Sequence, residues 1–130
     1  MIINGFQVKL DFSCDCLTDS AIYLARCKNC KQHTEIEATN FYFGRTLNTV
    51  RTRLNGHRNK FKLSEYDKSA LSYHTYDKHW DKLPDKLLNY EIGVVKTVSP
   101  SELERLEDYY IYETKADTKG LNTNRYKVAK

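Results

Sequence analysis

Phe6, Val8, Leu10 and Phe12 alternate with polar residues. A two-residue period predicts a half-buried strand over 6–12. Ser13 to Ser20 carries turn chemistry. Ala21-Ile22-Tyr23-Leu24-Ala25 is a short run of strand formers, predicting a second strand to about Cys27. Lys28 to Asn40 is polar and loop-like, and Phe41-Tyr42-Phe43 is a third strand ended by Gly44. A helix is expected from about Leu47 to Phe61, with Thr46 as its N-cap. At 100° per residue, Leu47, Val50, Leu54 and Phe61 fall within about 60° of one another, a core-facing stripe. A second helix covers about Tyr66 to Trp80, and a fourth strand lies within Leu88–Val98. Ser99, Pro100 and Glu102 stand where an N-cap, N1 and N3 form a capping box. The last helix then runs to about Lys115, with Leu103, Leu106 and Tyr110 on one stripe. Helices gathered on a small antiparallel sheet make an α+β domain: three core strands, an N-terminal strand and about three helices. Residues 1–19 form an N-terminal strand with a Cys-x-Cys extension, and residues 20–130 the main domain.

Composition narrows the function classes. The chain has 130 residues, 40% hydrophobic and 29% charged. Mean hydropathy is -0.70. No apolar run approaches the roughly 20 residues of a membrane span, so no membrane partner is expected. The N-terminus lacks a signal-peptide pattern, so an intracellular, reducing compartment in cytoplasm or nucleus is expected. A net charge of +4 permits a nucleic-acid partner without demanding one. In a reducing compartment the four cysteines, Cys14, Cys16, Cys27 and Cys30, suit metal better than disulfides.

Cys27-Lys-Asn-Cys30 has metal-ligand spacing, and His74 and His79 form a second pair. Five residues turn an ideal helix through about 500°, leaving the imidazoles about 140° apart, so that helix must loosen or end near His79. A structural zinc on Cys27, Cys30, His74 and His79 is the first choice. The alternative set is Cys14, Cys16, Cys27 and Cys30. It is disfavoured if strands 6–12 and 21–27 form a hairpin, which puts Cys14 and Cys16 at the turn, far from Cys27.

Two tyrosines, Tyr23 and Tyr42, sit on neighbouring short strands, in Ala21-Ile22-Tyr23 and Tyr42-Phe43-Gly44. A helix follows with Thr-Arg-Leu-Asn-Gly-His-Arg at 52–58, then Glu107 in a capped helix and Gly120-Leu121-Asn122. This order resembles the GIY-YIG nuclease superfamily over about residues 20–123. Ala21 stands where the pattern has Gly, and Phe43 where it has Ile; both tyrosines are kept. The resemblance implies a metal-dependent DNA endonuclease. It assigns Arg53 to transition-state stabilisation and Glu107 to a catalytic Mg²⁺ or Mn²⁺. The Cys-x2-Cys between the motifs and the later His pair look like the nuclease domain of Penelope-like retroelements, a class of mobile element with a zinc-finger-like motif there.

The residue types suit phosphodiester hydrolysis. Arg53 and His57 are four apart and share a helix face, and Arg53 offers a fork of donors to a phosphate. Glu107 lies about 40° from Leu103 around its helix, at the edge of the apolar stripe, where a carboxylate can hold a hydrated Mg²⁺. Tyr23, assisted by His57, is the candidate general base. Tyr42 would orient water or bind phosphate, and Asn122 would tie the C-terminal segment to the site. One such site cuts one strand, so a double-strand break would need a dimer or two encounters. The expected partners are DNA and either a second copy of the chain, as a homodimer, or a fused DNA-recognition or reverse-transcriptase domain. The competing functions are a degenerate, non-cleaving nucleic-acid-binding module and a zinc-stapled interaction module.

Overall fold

The computed structural model describes residues 2–15, 17–28, 30, 40–61, 69–79 and 90–122. The elements run β1 (Ile2–Ile3), β2 (Phe6–Gln7), β3 (Ala21–Cys27), β4 (Phe41–Thr46), α1 (Val50–Arg58), α2 (Ala70–His79), β5 (Tyr90–Thr97), a 3₁₀ turn (Pro100–Glu102) and α3 (Leu103–Thr114). The architecture is α+β. Strands β4, β3 and β5 make one antiparallel sheet in that order, and β1 and β2 pair separately. Among the described residues no helix is long and apolar enough to cross a membrane.

Central β3 is buried along its whole length except Arg26, which is half-buried. Its two faces alternate as the pleat requires. Ile22 and Leu24 face one core with Phe41, Phe43, Val95 and Leu103, and Tyr110 and Ile111 of α3 pack onto it. Ala25 and Cys27 face the other, with Phe61, Leu71 and Tyr90. At the end of that second face, Ala21 packs with Val50 and Val94. The β3–β5 register slips between Ile22 and Tyr23, so Ile22 pairs Lys96 while Tyr23 pairs Val94. The skipped Val95 is a bulge, a device that re-aims side chains beside it.

Four expected boundaries are corrected. The alternation over 6–12 does not form one strand. Asn4 and Gly5 both have positive φ, 50° and 87°, closing a tight hairpin between β1 and β2. The chain then leaves β geometry, Val8 and Leu10 pack into the first core, and the Asp11 amide donates to the Val94 carbonyl. Residues 6–12 therefore make no hairpin with β3, whose neighbours are β4 and β5. Gly44 does not end β4, which continues to Thr46.

α1 begins at Val50 and not at Leu47. Thr49, rather than Thr46, caps it, its Oγ1 accepting the Thr52 amide at 3.2 Å. Leu47 stays outside, 65% exposed, while Phe61 is buried just beyond the helix. The capping box at Ser99 does not form either. Ser99 makes no side-chain cap bond, Pro100 opens a 3₁₀ turn, and Glu102 pairs with Arg105 at 2.5 Å. Of the second helix expected at 66–80, residues 66–68 and Trp80 lie outside the described residues, as do Leu88 and Asn89 of the fourth strand.

β4 is an edge strand, and the C-terminal segment covers that edge. The Leu121 amide donates to the Phe41 carbonyl at 2.8 Å. Asn122 Oδ1 accepts the Phe43 amide at 2.7 Å, and its Nδ2 donates to the Phe43 carbonyl at 2.6 Å. One buried carboxamide thus imitates the pairing of a neighbouring strand. Asn122→Ala leaves both Phe43 groups without those partners and should destabilise the fold by about 2–6 kcal/mol, at roughly 1–3 kcal/mol per orphaned group. Urea unfolding measures it; a loss under about 0.5 kcal/mol would mean water replaces the carboxamide freely.

Candidate functional site

Tyr23 and Tyr42 stand on the sheet face that α1 covers, next to one another on β3 and β4. Their ring centroids are 6.2 Å apart. Tyr23 pairs across the sheet with Gly44, and its ring lies over that glycine. A Cβ at position 44 would fall 2.2 Å from the Tyr23 Cζ. Gly44 is therefore required by a close approach, and its lack of a side chain admits the ring. α1 delivers His57 to the same point: its Nε2 and the Tyr23 hydroxyl are 2.9 Å apart. The His57 ring meets Tyr42 edge-on at 5.6 Å.

Both members of the Tyr23–His57 pair are buried, Tyr23 at 0% exposure and His57 at 2%. Burial pushes the Tyr23 phenol well above 10; Tyr42 adds to this, Arg53 opposes it, and Glu107 adds a smaller push. Burial, helped by the Arg53 guanidinium, pushes His57 down to about 3. At neutral pH the pair is thus a phenol against an uncharged imidazole. Of the two tyrosines only Tyr42 is partly open to solvent. Arg53 on α1 lowers and Glu107 on α3 raises the Tyr23 phenol through space, while Glu107 itself pairs with Arg45, whose side chain leaves β4 on the face opposite Gly44 and Tyr23.

Two neighbours were not singled out in the sequence. Ser69, the residue before α2, places its Oγ 2.5 Å from His57 Nδ1. Arg45 of β4 places Nη1 3.1 Å from Glu107 Oε1, with their side chains 43% and 17% exposed. Neither had a motif to announce it. Arg45 follows Gly44 directly, so strand alternation places its side chain on the face opposite Gly44, toward α3.

No protein family, no curated protein and no solved structure matches this chain.

A second group lies farther along the same sheet face. Ligand atoms of Cys27, Cys30, His74 and His79 all lie within 4.8 Å of one another. Cys30 Sγ is 3.2 Å from His74 Nε2 and 3.4 Å from His79 Nε2. Zn–S bonds of about 2.3 Å and Zn–N bonds of about 2.0–2.1 Å in a tetrahedron put ligand atoms about 3.3–3.8 Å apart. The Cys30–His distances sit at that spacing, and the widest needs a contraction of about 1 Å. Two thiols and two imidazoles are the donor set zinc takes. The helical twist between His74 and His79 is relieved because His79 is the last residue of α2, and their rings come within 5.3 Å.

Hydrogen bonding to Cys27, together with burial, pushes the Cys30 thiol far up. A cation between the sulfurs would reverse that, since a coordinated thiol is deprotonated. These four residues fit a metal ion. Cys14 belongs elsewhere, packed against Ala21, Val50 and Val94. The alternative set of four cysteines is therefore not assembled around Cys14; Cys16 lies outside the described residues.

Proposed function

We propose that the chain is a divalent-metal-dependent DNA endonuclease of the GIY-YIG type, with a structural zinc site. The observation that carries this reading is the Tyr23–His57 hydrogen bond beside Tyr42. Phosphodiester hydrolysis needs a base for water, a cation for the phosphoryl oxygens and help for the leaving group.

Tyr23, assisted by His57, is the general base: a water's proton passes to Tyr23 Oη as the phenol proton moves toward the lone pair of His57 Nε2, whose basicity burial lowers in the free protein. Tyr42, the more open tyrosine, meets the water or a phosphate oxygen. Arg53 clamps the phosphate with its planar donors, a geometry that a lysine would not supply. Glu107 would hold Mg²⁺ or Mn²⁺, which takes one or two carboxylates and completes its shell with water and phosphate oxygens. That ion would supply charge for the phosphoryl oxygens and for bound water. Arg45 holds the Glu107 carboxylate meanwhile. Such a part-exposed pair contributes at most about 1 kcal/mol, too little to exclude a divalent ion. Zinc on Cys27, Cys30, His74 and His79 would pin the connection between β3 and β4 to α2.

One observation favours the competing reading, a non-cleaving nucleic-acid-binding or zinc-stapled module: Glu107 has a cationic partner of its own in Arg45. Glu107→Gln separates the two. It keeps shape and removes charge, so cleavage of duplex DNA should fall by at least about 10²-fold, the scale of losing one essential electrostatic group. DNA affinity, measured by fluorescence anisotropy, should hold or rise. An unchanged cleavage rate rejects the role given to Glu107.

A further inference from the structure

His57 is flanked by two hydroxyls. Tyr23 Oη is 2.9 Å from Nε2, and Ser69 Oγ is 2.5 Å from Nδ1. Ser69 is itself 5% exposed and lies at the N-terminal edge of α2, where its carbonyl accepts the Tyr73 amide and the Ser72 hydroxyl. A neutral imidazole has one N–H and one lone pair, so it can donate to one neighbour and accept from the other. The phenol is the more acidic of the two hydroxyls and the better donor. Paired with the imidazole lone pair, it leaves the serine oxygen to accept.

We propose that Ser69 is a positioning residue for the nuclease reaction: its Oγ accepts the His57 Nδ1–H, which holds Nε2 open as acceptor for the Tyr23 hydroxyl. The function rests on the nuclease reading; the tautomer itself does not. With the opposite tautomer Nε2 carries the proton, donates to Tyr23 Oη and cannot take the phenol proton. The same Ser69 bond serves after transfer, because the imidazolium keeps its Nδ1–H and still needs an acceptor there. Ser69 thus acts on proton transfer without touching DNA. Its helix also carries His74 and His79, so the candidate metal site and the serine share one rigid element.

The test is a two-bond ¹H–¹⁵N correlation spectrum of the full, metal-loaded chain, with the His57 ring identified by its loss in His57→Gln. The wild type should show a protonated Nδ1 and a lone-pair Nε2. Ser69→Ala leaves a buried Nδ1–H without its acceptor. The tautomer ratio should move toward Nε2–H by roughly 5- to 150-fold, the weight of one unsatisfied buried donor. Its kcat for DNA cleavage should fall while KM stays within about twofold, the pattern of an interaction that acts on the chemical step. Ser69→Thr keeps the hydroxyl and should restore both signals. A wild-type spectrum with the proton on Nε2 overturns the proposal even if Ser69→Ala does not fold. So does a folded Ser69→Ala whose proton stays on Nδ1. If the tautomer switches as expected but the wild type cuts no DNA, the hydrogen-bond assignment stands and the nuclease reading falls.

Discussion

Cys30→Ser should lower the melting temperature by more than about 10 °C, because it removes the sulfur that both histidines approach. Structural zinc contributes on the order of 10 kcal/mol of apparent folding free energy in small domains. Total stability of a domain this size is itself about 5–15 kcal/mol. Here the sheet has cores of its own, so only part of that contribution is at stake. A loss of about 4 kcal/mol, at roughly 3–5 °C per kcal/mol, already lowers Tm by about 12–20 °C. Elemental analysis of the purified protein should give about one zinc per chain. Cys14→Ser should be mild, because Cys14 is only partly buried, lies with Val50 and Val94, and is not in the group formed by Cys27, Cys30, His74 and His79. Calorimetry decides: a metal-free preparation that melts with the native one would remove the zinc site.

Gly44→Ala should disable the site from within. The added carbon would sit 2.2 Å from Cζ and 2.3 Å from Oη of Tyr23, inside any real contact distance. Tyr23 cannot swing away cheaply, since it is fully buried and bonded to His57. Either the ring leaves and the Tyr23–His57 bond breaks, or β4 moves off β3. Overpacking of this kind costs about 1–3 kcal/mol, sometimes more. The expected result is a folded but weakened protein whose DNA cleavage is down at least about 10²-fold, as for loss of one catalytic acid–base group. Wild-type stability with full cleavage would mean that the Tyr23–His57 contact does not serve the reaction.

The order of elements was legible because burial wrote it plainly. Residues 21–27 are apolar on both faces, and the structure buries both faces of β3. The α1 boundary was not, because Thr46 and Thr49 offer the same capping chemistry and Leu47 continues the apolar period. Leu47 is nevertheless exposed, so periodicity alone added a turn. The alternation from Phe6 to Phe12 misled in the same way, while Asn4-Gly5 carried the decisive hairpin signal. At the candidate site, Tyr23, Tyr42 and His57 could be grouped from their order, and the structure brings them into contact. Ser69 and Arg45 could not. A single hydroxyl or guanidinium has no spacing rule, and its role depends on which strand or helix the fold sets against it. The metal group was legible through Cys27-x2-Cys30, and the apparent obstacle of helical twist vanished at the helix end.

The most direct measurement is conversion of supercoiled plasmid by the zinc-loaded chain with Mg²⁺ or Mn²⁺ added, against the same protein with neither. Omitting the ion leaves the thiol site loaded, where a chelator would strip both. Wild type should convert supercoiled DNA to nicked or linear product only when the ion is present, and Arg53→Ala should lower that rate by at least about 10²-fold at unchanged fold, the scale of one lost charge-stabilising group. Intact plasmid in every lane, from protein that is folded and zinc-loaded, would contradict the account and leave the chain a binding module.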